Sequence, residues 1–149
     1  MTEVLFYHLT SQPLERVLPD LLEKCLERQW RAVVQVGSEE RRDALDAHLW
    51  TFRDEGFLPH GTIKDGRASD QPVWLTTDAD NPNQAQVRFL ADGADIADYG
   101  AYARVVRLFD GNDPEAVDLA RQAWRTAKAA GHDATYWQQS EQGRWEKKG

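Results

Sequence analysis

The sequence has little cysteine, no long apolar run and no glycine-rich phosphate loop, and each shortage removes a class of function. The single Cys25 among 149 residues can neither close an internal disulfide nor supply a cysteine-rich zinc site. No staple of that kind is needed, because a chain of this length buries roughly 68–70% of the surface its unfolded form exposes. No stretch approaches the ~20 apolar residues of a membrane-spanning helix, and no charged-then-apolar leader follows Met1-Thr2-Glu3. A cytoplasmic protein with no membrane contact is expected. Neither G-x-G-x-x-G nor G-x-x-x-x-G-K-[ST] occurs. The turn after Val36 has one glycine, Gly37, with Glu39 and Glu40 close behind to repel a phosphate.

Catalytic and metal signatures are equally sparse. His8, His48, His60 and His132 show no H-x-x-x-H or H-E-x-x-H spacing. Ser11, Ser38, Ser69 and Ser140 lack a G-x-S-x-G setting, so nothing marks a nucleophile. The acidic pairs Glu39/Glu40 and Asp78/Asp80 fit first helical turns and loops, where carboxylates serve the local backbone. No metal, no cofactor and no catalytic residue is expected. The formal net charge of -7 disfavours a polyanion as a general partner and makes any local basic patch distinctive.

What is present is an alternation of apolar runs and amphipathic segments. Val4–Leu9, Ala32–Val36, Gln71–Thr77, Gln86–Ala91, Val105–Phe109 and Ala134–Gln138 read as strands. Between them, Pro13–Arg28 carries apolar residues at three- and four-residue spacing, with Pro19 expected to kink that helix or mark its effective start. A second helix opens at Gly37-Ser38, with Ser38 as N-cap, and runs to about Trp50. A third starts on Asp113 as N-cap and Pro114 as first helical residue and ends at Gly131. The segments 54–70 and 92–100 read as surface loops, and 143–149 should fray. The pattern implies an α/β fold: one domain over 1–149, with a mostly parallel sheet flanked by helices. Cys25, on the apolar face of the first helix, is expected in the core.

Two surface clusters stand out. On the third helix, Ala116, Ala120, Ala123, Ala127 and Ala130 form a small-residue stripe suited to close packing on a sheet. Val117 and Trp124 fall at its margin, and Arg121, Arg125 and Lys128 occupy the adjoining sector. A large ring bordered by three cations can grip an acidic peptide, with arginine pairing a carboxylate and Trp124 forming an apolar wall. The same spacing also suits a solvated basic face with Trp124 tucked inward. The second cluster, Leu49-Trp50-Thr51-Phe52 and Phe57-Leu58-Pro59-His60, suits either a partner-binding anchor or a cap over the end of the core.

Phe6-Tyr7-His8-Leu9, Val34-Gln35-Val36 through Leu45-Asp46, Leu49-Trp50 with Phe57-Leu58-Pro59-His60, Pro72–Thr77 with Asn81-Pro82-Asn83, and Val105-Val106 leading into Asp113-Pro114 resemble the chi subunit family of bacterial DNA polymerase III. The resemblance covers nearly the whole chain. It implies a Rossmann-like fold without a nucleotide and a non-catalytic role in DNA replication. It also implies two partners: the psi subunit, which connects to the clamp loader, and the acidic C-terminal tail of single-stranded DNA-binding protein. By that resemblance Trp50, Phe57 and Phe109 match the psi-facing surface. Arg121, Trp124, Arg125 and Lys128 match the helix that receives the tail. Trp124 stands where the best-known family form has tyrosine, and Val117 where a further cation can occur. No direct nucleic-acid contact is expected.

Two other readings compete. A small enzyme or nucleotide-dependent regulator would use the strand ends of the same fold and requires a concave pocket there. Direct binding of single-stranded DNA would use Trp30, Trp74 and Trp137 as stacking platforms.

Overall fold

The computed structural model describes residues 2–10, 12–51, 60–142 and 144–149; of residues 50 and 51 it describes the backbone alone. The elements are β1 (Glu3–Leu9), α1 (Leu14–Glu27), β2 (Ala32–Gln35), α2 (Glu39–Thr51), β3 (Val73–Thr76), β4 (Val87–Leu90), β5 (Arg104–Asp110), α3 (Pro114–Ala129), β6 (Asp133–Gln139) and β7 (Trp145–Lys147). The strands form one seven-stranded sheet in the order β3-β2-β4-β5-β1-β6-β7. Every pairing is parallel except β6 with β7. β1 sits between β5 and β6, and its register sets Phe6 opposite Arg107 on one side and Tyr136 on the other.

Alternation along the strands sends side chains into two cores. Leu14, Val17, Leu18, Leu22 and Cys25 of α1 join Leu45 and Leu49 of α2 and residues such as Val34, Leu75, Phe89 and Leu108 on one face. On the other face α3 contributes Ala120, Ala123 and Ala127 against Val4, Phe6, Val105, Phe109 and Ala134. The alanine stripe is therefore the inward face of α3, except at its ends, where Ala116 is half-buried and Ala130 exposed. The capping expectations hold locally. Asp113 Oδ1 accepts the Glu115 amide at 3.1 Å, and Ser38 Oγ accepts the Arg41 amide at 3.2 Å. Past the end of α3, Gly131 takes φ +83°, a conformation that side-chain-bearing residues resist.

Three expectations need correction. Pro19 does not mark the start of its helix, since α1 already begins at Leu14 and runs through Pro19. The carbonyl that Pro19 cannot serve, that of Glu15, instead receives His48 Nε2 of α2 at 2.7 Å. The terminal segment does not fray. Residues 145–147 pair antiparallel with the outer edge of β6, and Trp145 packs edge-on to Tyr7 with ring centroids 4.8 Å apart. An edge strand presents unpaired amides and carbonyls, and this segment satisfies them. Finally, the segment read as a surface loop over 54–70 is only partly that. Positions 54–59 lie outside the described residues, but His60, Gly61 and Thr62 are buried. Gly61 bridges to Trp74, donating to the Val73 carbonyl and accepting from Leu75, both at 2.9 Å.

Among the described residues several arginines are buried, Arg88 most completely. Arg88 of β4 is 0% exposed. Its Nε and Nη2 donate to Gln35 Oε1 at 3.1 and 2.6 Å, and its Nη1 donates to the Asp80 carbonyl at 2.8 Å and to Tyr102 Oη at 2.9 Å. A buried guanidinium is tolerable when its donors are satisfied in this way. The bonds tie the connection between β3 and β4 back onto the sheet.

Candidate functional site

The inward alanine stripe fixes which residues of α3 meet solvent. Arg121, Arg125 and Lys128 are exposed, and Trp124 is half-buried at the boundary between helix and sheet. Its indole stands edge-on to Phe6 at 5.4 Å and to Tyr136 at 5.9 Å between ring centroids. Lys128 Nζ lies 4.9 Å from the indole centroid, within cation–π range. The ring is thus neither sealed in the interior nor detached from Lys128. It forms the floor of a basic patch.

His8 and Tyr136, backed by the buried Phe109, continue from this patch toward the ends of β1 and β5. His8 Nδ1 is 2.7 Å from Tyr136 Oη, and the His8 ring meets Phe109 at 5.2 Å; Phe109 and Tyr136 are 5.9 Å apart. Burial holds the His8 imidazole below its usual pKa and the Arg121 charge lowers it further, against an opposing pull from Asp110. Burial pushes the Tyr136 phenol up, while Arg121 acts to lower it. The guanidinium of Arg121 is therefore felt by both rings. The approach of β1 to the turn after β5 is close: a Cβ on Gly111 would lie 2.0 Å from the His8 ring.

The structure brings Arg121, Arg125, Trp124 and Lys128 together on one helix, as their spacing predicts. It does not bring Phe109 onto one face with α2, which bears Trp50. Phe109 is 7% exposed and belongs to the α3-side core, whereas α2 packs on the opposite face of the sheet. Phe57 and the side chain of Trp50 lie outside the described residues. Sequence reasoning missed His8 and Tyr136 as neighbours of the α3 patch. The alternation Ala134, Tyr136, Gln138, which sets Tyr136 on the same face as Ala134, was the available signal.

A cavity of about 650 Å³ lies where the ends of β1, β4 and β5 meet the starts of α1 and α3. In open α/β sheets this is where ligands bind. Its charged lining includes Glu15, Asp92, Asp110 and Glu115 with Arg41 and Arg107. Arg41 is already paired with Glu15 and Asp92, and Arg107 lies 3.3 Å from Asp95. The Asp113 carboxylate serves the first turn of α3. The rival reading's pocket is present, but its carboxylates oppose a phosphate. Of the three stacking platforms, Trp30 packs against one core of the sheet and Trp74 lies in the other, while Trp137 is half-buried on β6 with its Nε1 donating to Thr135 Oγ1 at 3.1 Å.

The molecule is thus an α/β sheet with a cationic, aromatic surface on one helix and an acidic cavity at its strand ends. Its family follows from comparison with known sequences. A family model described as DNA polymerase III chi subunit, HolC, matches residues 1–135, and the chain belongs to that family. Among its relatives, the probable DNA polymerase III subunit chi of Rickettsia prowazekii is 27% identical over 109 residues, covering 73% of this chain and 66% of that protein. DNA polymerase III subunit chi of Pseudomonas aeruginosa is 36% identical over 80 residues, covering 50% of this chain and 54% of that protein. The matched regions span just under two thirds and about half of these relatives' lengths.

Proposed function

We propose that this chain is a non-catalytic accessory subunit of the DNA polymerase III holoenzyme. It links the psi subunit, and through it the clamp loader, to the acidic C-terminal tail of single-stranded DNA-binding protein. Membership of the chi family and the names of both relatives support the polymerase assignment. The observation that carries tail binding is the seating of Lys128 Nζ 4.9 Å over Trp124, with Arg121 and Arg125 on the same exposed side of α3. A peptide that ends in acidic residues and a phenylalanine offers carboxylates for the cations and a ring for the indole and its neighbours. Joining two partners through one small protein raises the effective concentration of each near the other and needs no new chemistry.

Titration of a labelled peptide of that composition tests the reading. Arg121→Ala and Trp124→Ala should each weaken binding severalfold in the folded protein. Unchanged affinity in both variants would remove α3 as the tail site. Capture of psi and clamp-loader subunits on the immobilised chain tests the other half; their failure to bind as purified proteins would refute the link.

A further inference from the structure

The segment expected to fray runs beside the basic patch. Past β7, the Lys148 amide donates to the Tyr136 carbonyl at 2.7 Å, and the Tyr136 amide donates to the Gly149 carbonyl at 3.3 Å. A methyl group placed on Gly149 would lie 3.4 Å from Trp124 Cη2 and 3.6 Å from Tyr136 Cβ. The backbone therefore runs along the outer edge of the indole. In the antiparallel register Gln138 pairs with Glu146 and Gln139 with Trp145. Alternation then sets Lys148 beside Tyr136 on the α3 face and Trp145 on the other, where it meets Tyr7. That opposite-face anchor and the ladder hold the segment in place.

We propose that β7 and the two residues after it, 145–149, form the third side of the docking surface, with Lys148 a binding residue for the acidic, carboxylate-ended peptide. This rests on the reading of α3 as the tail site. Lys128 covers one region of the indole, Phe6 and Tyr136 meet it edge-on, and Gly149 closes its outer edge. An arriving peptide is therefore bounded by α3 on one side and by the residues after β7 on the other. Lys148 is 50% exposed, and its Nζ is only loosely held, 3.7 Å from Glu146 Oε2. Its ammonium is available to a second carboxylate, and Glu146 is the local anion that competes for it. Because the molecule is acidic overall, each cation that the fold gathers here adds to a field of opposite sign to its surroundings.

Two substitutions in this segment should then act in opposite directions. Using the labelled acidic peptide ending in phenylalanine and the full chain at low salt, Lys148→Gln should bind about two- to fivefold more weakly than the unsubstituted protein. Glu146→Gln should bind more tightly, because it frees Lys148 and removes a repelling charge. Both positions are exposed, so thermal melts should match, and a purely structural strand would move the two affinities together or not at all. Arg121→Ala is the control for the underlying reading. If Arg121→Ala weakens binding while Lys148→Gln leaves it unchanged, or strengthens it as a covering lid would, the proposal about β7 fails and the α3 site stands. If neither variant changes affinity, the α3 site itself fails.

Discussion

His48 Nε2 lies 2.7 Å from the backbone oxygen of Glu15, the carbonyl that Pro19, four residues on, cannot serve. A side chain of α2 thus takes the place of a missing helical donor in α1 and joins the two helices on one face of the sheet. His48→Ala leaves this carbonyl without its imidazole donor and should lower stability by about 1–3 kcal/mol in urea unfolding. Pro19→Ala restores an amide at position 19 that can reach the same carbonyl. In the His48→Ala background it should therefore be less damaging than in the unsubstituted protein, and strictly additive effects would refute the pairing.

Arg88 is a second place where the backbone depends on a side chain. Its guanidinium serves a side-chain amide, a phenol and the Asp80 carbonyl without exposure to water. Replacing it by methionine keeps bulk and removes every donor, which should destabilise the fold by about 3 kcal/mol or more. Lysine should not rescue it, because a point ammonium cannot reproduce the planar fork. A loss below about 1 kcal/mol for Arg88→Met would show that these bonds contribute little net stability.

Most of this fold was legible because periodicity and capping speak locally. The start of α3 follows from Asp113 and Pro114, and its buried face follows from alanines at helical spacing. Arg88 and β7 were not legible, since each depends on partners far along the chain. A lone arginine in an apolar strand gives no hint that Gln35 and Tyr102 will meet it. The polar ending Arg144-Trp145-Glu146-Lys147-Lys148 reads as solvent-exposed until an unpaired strand edge is beside it. The basic, aromatic patch was half legible for the same reason. Helical spacing collects Arg121, Trp124, Arg125 and Lys128, but His8 and Tyr136 join them only through the parallel register of β1 and β6.

His8 should report on Arg121. In the folded chain, burial and then the guanidinium charge depress its pKa, while Asp110 acts to raise it. As pH falls through the ordinary histidine value near ~6.5, the unfolded chain gains a proton that the folded chain resists. Stability should therefore decline on acidification and level off below the folded pKa. NMR titration of the His8 ring should give a midpoint under the ordinary value, moving upward in Arg121→Ala. A midpoint unchanged by that substitution would separate Arg121 from the patch.

Gly111 is required by proximity, not by its backbone angles. A Cβ there would lie 2.0 Å from the His8 ring and 2.9 Å from the Leu9 carbonyl, so the ring and the backbone must both give way. Gly111→Ala should displace His8 from Tyr136, expose the patch between β1 and β6, and lower stability. The checks are the same His8 titration and a thermal melt. An alanine variant with native values for both would mean that the turn after β5 adapts without cost to the site.

Salt should separate the two kinds of contact on α3. A carboxylate held by exposed Arg121 is screened as ionic strength rises, because the Debye length shrinks from about 10 Å at 0.1 M to about 3 Å at 1 M. A ring packed on Trp124 is held by apolar burial, which salt does not weaken. The affinity ratio between the unsubstituted protein and Arg121→Ala should therefore be large at about 50 mM salt and shrink toward one at several hundred millimolar. The ratio against Trp124→Phe, which keeps an aromatic floor but loses indole area, should be smaller and nearly constant across the same range. Parallel salt curves for all three proteins would mean that Arg121 contributes packing and not charge. The carboxylate-gripping role assigned to the helix would then be wrong, even if the peptide still bound there.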